Sequence, residues 1–385
     1  VLFGVLAGLC MAEAGLRLVE HVRAREREAF SDKFLLTDAH LNHRVAPGAT
    51  GHDANGFRND SVPAAADIVA LGDSQTWGVN AERAEAWPQR LGKLSGRAVY
   101  NMAVSGYGPV QYWALTDKAL TFSPRVVVVG VYTGNDLYDA YHLAYTCDDY
   151  RDLRAADAPP ELFRDTVGPR AGALWDEERN FHQEFGRGDA GALWLWLGGH
   201  TAVGRLLSGA GCWPGKSDVW FEAGQAWARA HPEHGAVYED GRTRTVLTTA
   251  YRLAALDLDD AHMAEGLRIT CGVLPRIKAR AEGAGAKVLV LVIPTKESVF
   301  AGASGGRGLG PVYERLVRME ARARSEVLAE CGRAQIECVD TLPPLVEAVG
   351  RGEEVYSSST ESHPKGKGYA VIAEAARQAL ARRGW

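Results

Sequence analysis

Ser74 stands just past four apolar residues, Ile68-Val69-Ala70-Leu71, in the run Gly72-Asp73-Ser74-Gln75-Thr76-Trp77-Gly78. An apolar run stopped by a glycine reads as a buried parallel strand, and open α/β sheets carry their chemistry just beyond the carboxyl ends of such strands. Ser74 is therefore the candidate nucleophile. The competing reading is an ordinary loop tripeptide in which Asp73 or Ser74 caps the next helix. A serine hydroxyl is a poor nucleophile until a base takes its proton, so the assignment requires an imidazole within hydrogen-bond reach. Three further short blocks accompany this one: Asn101-Met102-Ala103-Val104-Ser105-Gly106-Tyr107-Gly108, Gly134-Asn135-Asp136 and Ser362-His363-Pro364-Lys365-Gly366-Lys367-Gly368-Tyr369. A glycine at 106 lets backbone approach a ligand, and the Asn135 amide offers an N–H that an aspartate does not. The plain alternatives are a turn glycine at 106 and a turn or cap residue at 135.

The elements that must position these blocks alternate regularly. The pattern predicts a strand over 67–72, a helix around 84–95, a strand over 97–101, a helix around 110–121 and the β-branched strand 125–132. After a long interruption come a helix over 261–283, a strand over 287–294, a helix over 311–331, a strand over 335–339 and a last helix over 366–382. Strands alternating with helices at this spacing indicate right-handed βαβ units. The expected fold is α/β: a flavodoxin-like three-layer sandwich on a mainly parallel five-stranded sheet, with a large insertion after the third strand. The divisions are an apolar segment 1–22, a lead-in 23–66, a first half 67–136, the insertion 137–260 and a second half 261–385. The four blocks then fall after the first, second and third strands and before the last helix.

In this order and placement the blocks resemble the SGNH, or GDSL-like, hydrolase superfamily, over roughly 67–136 and 286–380. The resemblance implies that Ser74 is activated by His363, one of 11 histidines and the one just before the last helix and followed by proline. It also implies an oxyanion hole made by the backbone N–H groups of Ser74 and Gly106 and the side-chain amide of Asn135; such donors are worth ~2.7–4 kcal/mol each. The family usually has an aspartate three residues before the histidine, where this chain has Thr360, preceded by Ser357, Ser358 and Ser359. The nearest carboxylate is Glu361, two residues before His363. It orients the imidazole, or the site runs as a Ser-His dyad oriented by a backbone carbonyl. Asp73 is assigned a structural role.

Composition bounds the rest. With 385 residues and a formal net charge of −5, the chain buries a full core and carries no basic stripe for nucleic acid. It opens Val1-Leu2-Phe3-Gly4-Val5-Leu6-Ala7-Gly8-Leu9-Cys10-Met11-Ala12, shorter than the ~20 residues of a spanning helix. This reads as a signal-like stretch or as an anchor whose start is missing, the alternative being a buried amphipathic helix. A membrane-anchored or secreted, envelope-facing protein is expected. The sequence admits disulfides of Cys147 with Cys212 and of Cys331 with Cys338, or free thiols throughout. Tryptophans at 175, 194, 196, 213, 220 and 227 crowd the insertion, where they line a substrate groove or form a local core. No metal-spaced His/Cys cluster is evident, so neither metal nor cofactor is expected.

Three functions fit these residues. The first is a serine esterase that removes a short acyl group, such as acetyl, from a glycan, lipid or small ester. The second is an O-acetyltransferase that uses the same residues on an exported polysaccharide. The third is an inactive, glycan-binding domain that keeps the fold.

Overall fold

Strands that are apolar on both faces need cover on both sides, and that requirement sets the architecture. The computed structural model describes residues 32–185, 216–304 and 308–385. In the lead-in, β1 (Leu35–Asp38) and β2 (Asn42–Val45) form an antiparallel hairpin. The sheet begins with β3 (Ile68–Leu71), which runs into the four-residue helix α1 (Ser74–Trp77). Then follow α2 (Trp87–Ser95), β4 (Val99–Asn101), α3 (Pro109–Leu120), β5 (Val126–Tyr132) and α4 (Asp136–Thr146). The insertion contributes α5 (Val167–Phe185), α6 (Lys216–Ala230), the antiparallel hairpin β6 (Ala236–Glu239) and β7 (Arg244–Leu247), and α7 (Thr249–Ala254). The chain closes with α8 (Ala261–Gly283), β8 (Lys287–Ile293), α9 (Lys296–Ser304), α10 (Pro311–Arg333), β9 (Glu337–Asp340), α11 (Leu342–Gly350) and α12 (Gly366–Arg383).

The central sheet has the order β4-β3-β5-β8-β9 with every pair parallel, so the expected flavodoxin-like α/β fold is the one observed. Successive side chains of each strand enter opposite layers. Ile68, Ala70, Val126, Val128, Leu289 and Leu291 pack under α2, α9, α11 and α12, whereas Val69, Leu71, Val127, Val129, Val288 and Val290 pack under α3, α8 and α10. Each fully buried aliphatic side chain contributes ~1.5–3 kcal/mol of transfer free energy. The two seven-residue strands β5 and β8 therefore dominate the core, and the three-residue β4 adds mainly backbone pairing.

Two glycines let α1 lie against the sheet. A Cβ on Gly72 would stand 2.1 Å, and one on Gly130 2.4 Å, from Thr76 Oγ1, so the Thr76 side chain fills the groove that both leave open. The lead-in fixes the far end of α1. Buried Arg58 stacks 3.9 Å over the Trp77 ring and donates from Nη1 to the carbonyls of Trp77 and Gly78 and from Nη2 to that of Ala81.

Several expectations change. The lead-in carries a hairpin with a single buried residue, Val45, which no alternation announces. α9 and α11 were not anticipated because prolines 294, 343 and 344 crowd their starts; Pro343 and Pro344 occupy the first turn of α11, where missing N–H groups cost nothing. The described part of the insertion is helical around a small hairpin. Of its tryptophans, Trp227 is buried in the local core with Phe221 and Val246, while Trp175 and Trp220 are exposed. Tryptophans 194, 196 and 213 lie outside the described residues, as do Cys212 and the apolar opening segment. Cys147, Cys271, Cys331 and Cys338 are free thiols, so Cys331 and Cys338 are not cross-linked; their hydrogen bond and burial push the Cys338 thiol up. Among the described residues no helix is long and apolar enough to cross a membrane.

Candidate active site

β3 ends at Leu71, and the next three residues turn its direction into the first turn of α1. Asp73 is the N-cap: its Oδ1 accepts the Gln75 N–H at 2.9 Å, and its carbonyl accepts the Trp77 N–H at 2.8 Å. The capping reading of Gly-Asp-Ser thus holds for Asp73, and it leaves the next side chain, Ser74, free for other contacts. Ser74 Oγ lies 2.8 Å from His363 Nε2 and 3.3 Å from Asp73 Oδ2.

His363 arrives from the segment before α12. Its carbonyl accepts from Asn80 Nδ2 at 3.1 Å, and Tyr369 of α12 donates its hydroxyl to the Val79 carbonyl at 2.8 Å, so the two segments are tied across the site. Glu361 grips His363 twice through Oε1: at 2.5 Å from the ring Nδ1 and at 2.9 Å from the backbone N–H. Burial raises the Glu361 carboxyl, but His363 and the nearby Lys296 ammonium outweigh it and hold the group at about 2. Thr360 faces elsewhere, donating its hydroxyl at 2.6 Å to Glu178 on α5. The carboxylate beside the imidazole is therefore Glu361, two residues upstream.

The other two blocks lie beside β3. Pairing with β3 continues past β4, with Met102 N–H donating to the Ala70 carbonyl and Val104 N–H to that of Gly72. Gly106 follows at φ +79°, a left-handed conformation that favours glycine, with its neighbour's Ser105 carbonyl 2.9 Å from His43 Nε2. Asn135 precedes α4 and donates from Nδ2 to Asp139 Oδ2 at 2.5 Å, which fixes the amide plane and leaves its second N–H for another acceptor. Three carboxyls cluster here. Burial raises Asp73 to about 6 against the opposing pull of His363, while burial and the charge of Asp73 push Asp136 and Asp139 well above the usual carboxylate range. Asp136 is also held by the Tyr112 hydroxyl at 3.0 Å and the Tyr132 N–H at 2.9 Å.

Sequence reasoning missed the groups that shape the 357–363 loop. Lys296, buried just past the carboxyl end of β8, donates from Nζ to the carbonyls of Ser359 at 2.6 Å, Glu361 at 3.1 Å and Val246 at 3.1 Å. Burial lowers this ammonium to about 8, against the raising influence of Glu297 and Glu361. Thr245 of β7 donates to the carbonyls of Ser357 and Ser359, Val246 N–H to that of Ser358, and Arg252 of α7 to Ser362 Oγ. A lysine three residues past a buried strand, at the end where such sheets bind ligands, was the signal available in the sequence. The fold also gathers Glu177, His231 and His234 into one cluster that linear spacing does not reveal.

The Ser74, His363 and Glu361 contacts form one continuous chain, along which a proton could pass from hydroxyl to imidazole while the carboxylate holds the far ring nitrogen. No protein-family model matches the chain, and no curated protein is significantly similar to it in sequence. Solved structures similar to it include a GDSL-like lipase from Bacteroides thetaiotaomicron (12% identity, 82% of this chain and 88% of that one, TM-score 0.34). Phospholipase A1 from Streptomyces albidoflavus is another, at 12% identity over 83% of this chain and 99% of that one, with a TM-score of 0.39. A carbohydrate esterase family 2 enzyme with a carbohydrate-binding domain, from Corynascus thermopiles, matches at 11% identity over 86% of this chain and 70% of that one, with a TM-score of 0.31.

Proposed function

We propose that the chain is a serine ester hydrolase of the SGNH type that removes a short acyl group, such as acetyl, from a glycan, lipid or small ester. The observation that carries this reading is the hydrogen-bonded chain from Ser74 Oγ through His363 Nε2 and Nδ1 to Glu361 Oε1, at 2.8 and 2.5 Å. As Ser74 Oγ attacks the ester carbonyl, His363 Nε2 takes the hydroxyl proton. The carbonyl oxygen becomes an oxyanion, met by the backbone N–H groups of Ser74 and Gly106 and by the Asn135 N–H not bonded to Asp139. Collapse breaks the C–O bond to the leaving alcohol, which departs with the proton from His363. Water, activated by the same imidazole, then releases the acid and restores Ser74. Asp139 acts as a positioning residue, and with its pKa pushed up it places less negative charge beside the oxyanion. The apolar opening stretch supports an envelope-facing location, tethered or secreted.

A transferase reading with the same residues is favoured by one observation. The insertion supplies Thr245, Arg252 and Glu178 to the loop that bears His363, and it exposes Trp175 and Trp220, whose faces suit sugar rings. Incubation with p-nitrophenyl acetate and a panel of oligosaccharides, followed by mass-spectrometric counting of acetate and acetylated sugar, separates the readings. Acetate at a rate indifferent to sugars is expected. Saturable transfer to one sugar would make the chain a transferase, and absence of both products would leave a binding domain.

A further inference from the structure

Outside the Ser74 site, α5 and the turn after α6 bring one carboxylate and two imidazoles to a common point. The ligating atoms of Glu177, His231 and His234 all lie within 4.8 Å of one another. Glu177 Oε1 is 2.8 Å from His234 Nδ1 and 3.6 Å from His231 Nδ1. The two rings are parallel within 1°, their centroids 5.9 Å apart, and both Nδ1 atoms lie within 3.6 Å of the same carboxylate oxygen. This alignment is built by the backbone. His231 N–H closes onto the Trp227 carbonyl at 2.9 Å, and the N–H groups of His234 and Gly235 close onto the His231 carbonyl at 2.9 and 3.0 Å. The second ring nitrogen of His234 has Glu233 Oε1 at 3.9 Å, beyond hydrogen-bond distance.

We propose that Glu177, His231 and His234 bind a divalent transition-metal ion, zinc by preference, which braces the insertion against the loop carrying Glu361 and His363. Two neutral imidazoles and one carboxylate are a donor set suited to zinc, with a fourth position left for water. Donors sharing a tetrahedral zinc at ~2.0–2.1 Å stand about 3.3 Å apart. The two carboxylate–imidazole separations, 2.8 and 3.6 Å, bracket this value, and rotation of the imidazole rings would bring all three donors onto one ion. The three side chains are 27–32% exposed, open enough for an ion to enter and for a water to complete its shell. Without an ion, His234 holds Glu177 by one hydrogen bond and requires a proton on Nδ1; the ion replaces that proton and engages His231 as well.

The position gives the ion its role. On α5 the residue after Glu177 is Glu178, which accepts from Thr360, the residue before Glu361. Past His234 the chain enters the β6–β7 hairpin, whose Thr245 and Val246 hold the carbonyls at 357–359. An ion joining Glu177 to His231 and His234 thus cross-links the two parts of the insertion that grip the loop from either side. It takes no part in bond making at Ser74, and the binding proposal does not depend on that site being an esterase.

The test uses chain free of any polyhistidine tag, stripped with chelator and dialysed against zinc sulfate. One zinc per chain is expected, together with a rise in the thermal midpoint and, on replacement by cobalt(II), the intense visible bands of a tetrahedral site. His231→Asn and His234→Asn should each weaken zinc binding by more than the ~10–100-fold that loss of an outer hydrogen-bond partner costs. Glu177→Gln should do the same while the far-ultraviolet circular dichroism stays that of the parent. In the parent, zinc should shift the imidazole resonances of His231 and His234 specifically, a readout that holds even if a variant fails to fold. Absence of zinc binding, zinc bound equally well by the His231→Asn/His234→Asn double variant, or unshifted resonances at these two residues would each overturn the proposal.

Discussion

If Ser74 is the nucleophile, Ser74→Ala is expected to remove ester turnover and to abolish labelling by an alkyl phosphonate ester, while the protein remains folded. The hydroxyl is the only atom lost, and its two contacts are with the His363 ring at 2.8 Å and Asp73 at 3.3 Å. Losing a hydrogen bond of this kind costs about 1 kcal/mol. That leaves most of a typical 5–15 kcal/mol stability intact. The expected catalytic loss is of a different order: removal of the activated serine in a well-studied serine protease costs about 10⁶-fold in kcat. Measured side by side, kcat on p-nitrophenyl acetate should collapse while the urea midpoint moves little. Undiminished phosphonate labelling of the variant would place the nucleophile elsewhere.

The part of the fold legible in the sequence is the part built by short-range pattern. The run Val126-Val127-Val128-Val129 reads as a buried strand, and its parallel neighbours at 68–71 and 288–293 show the same continuous apolarity because both faces are covered. Ser74 and His363 were legible for a related reason: each follows or precedes an element whose limits the pattern marks. What stayed hidden depends on tertiary contact. Four-residue hairpin strands with polar faces carry too few residues for alternation to register, and α11 hides behind Pro343 and Pro344. Glu177 lies 231 − 177 = 54 residues from its first imidazole partner, so only the packing of α5 on the turn after α6 joins them. The choice between Glu361 and a dyad oriented by a backbone carbonyl had the same origin: the family's acid position is filled by Thr360, which bonds to Glu178, and only the folded loop brings Glu361 against the imidazole.

Glu361→Gln therefore carries the decisive test of that acid. In the parent, Glu361 Oε1 takes both the ring Nδ1 and the backbone N–H of His363, so the carboxylate fixes the tautomer that leaves Nε2 open to the Ser74 proton. On the proposed mechanism it would also stabilise the imidazolium that exists only along the reaction path, so kcat should fall by ~10⁴ with KM nearly unchanged. Glutamine preserves the shape and keeps an oxygen for the N–H groups, which separates the loss of charge from the loss of packing. A stability signature accompanies the kinetic one. Burial works against the charged form, yet His363 and Lys296 hold the folded carboxyl at about 2, below its ordinary 4.5. A carboxyl with a depressed folded pKa contributes stability that is fully present above about 4.5 and is lost as pH falls towards 2. Urea unfolding of parent and variant should accordingly differ most above pH 5 and converge as pH falls through that window. An unchanged kcat would mean that the imidazole works as a dyad oriented by a backbone carbonyl. A loss of similar size in Thr360→Ala, whose hydroxyl lies against Glu178, would instead transfer the orienting role to the contact between the insertion and the loop.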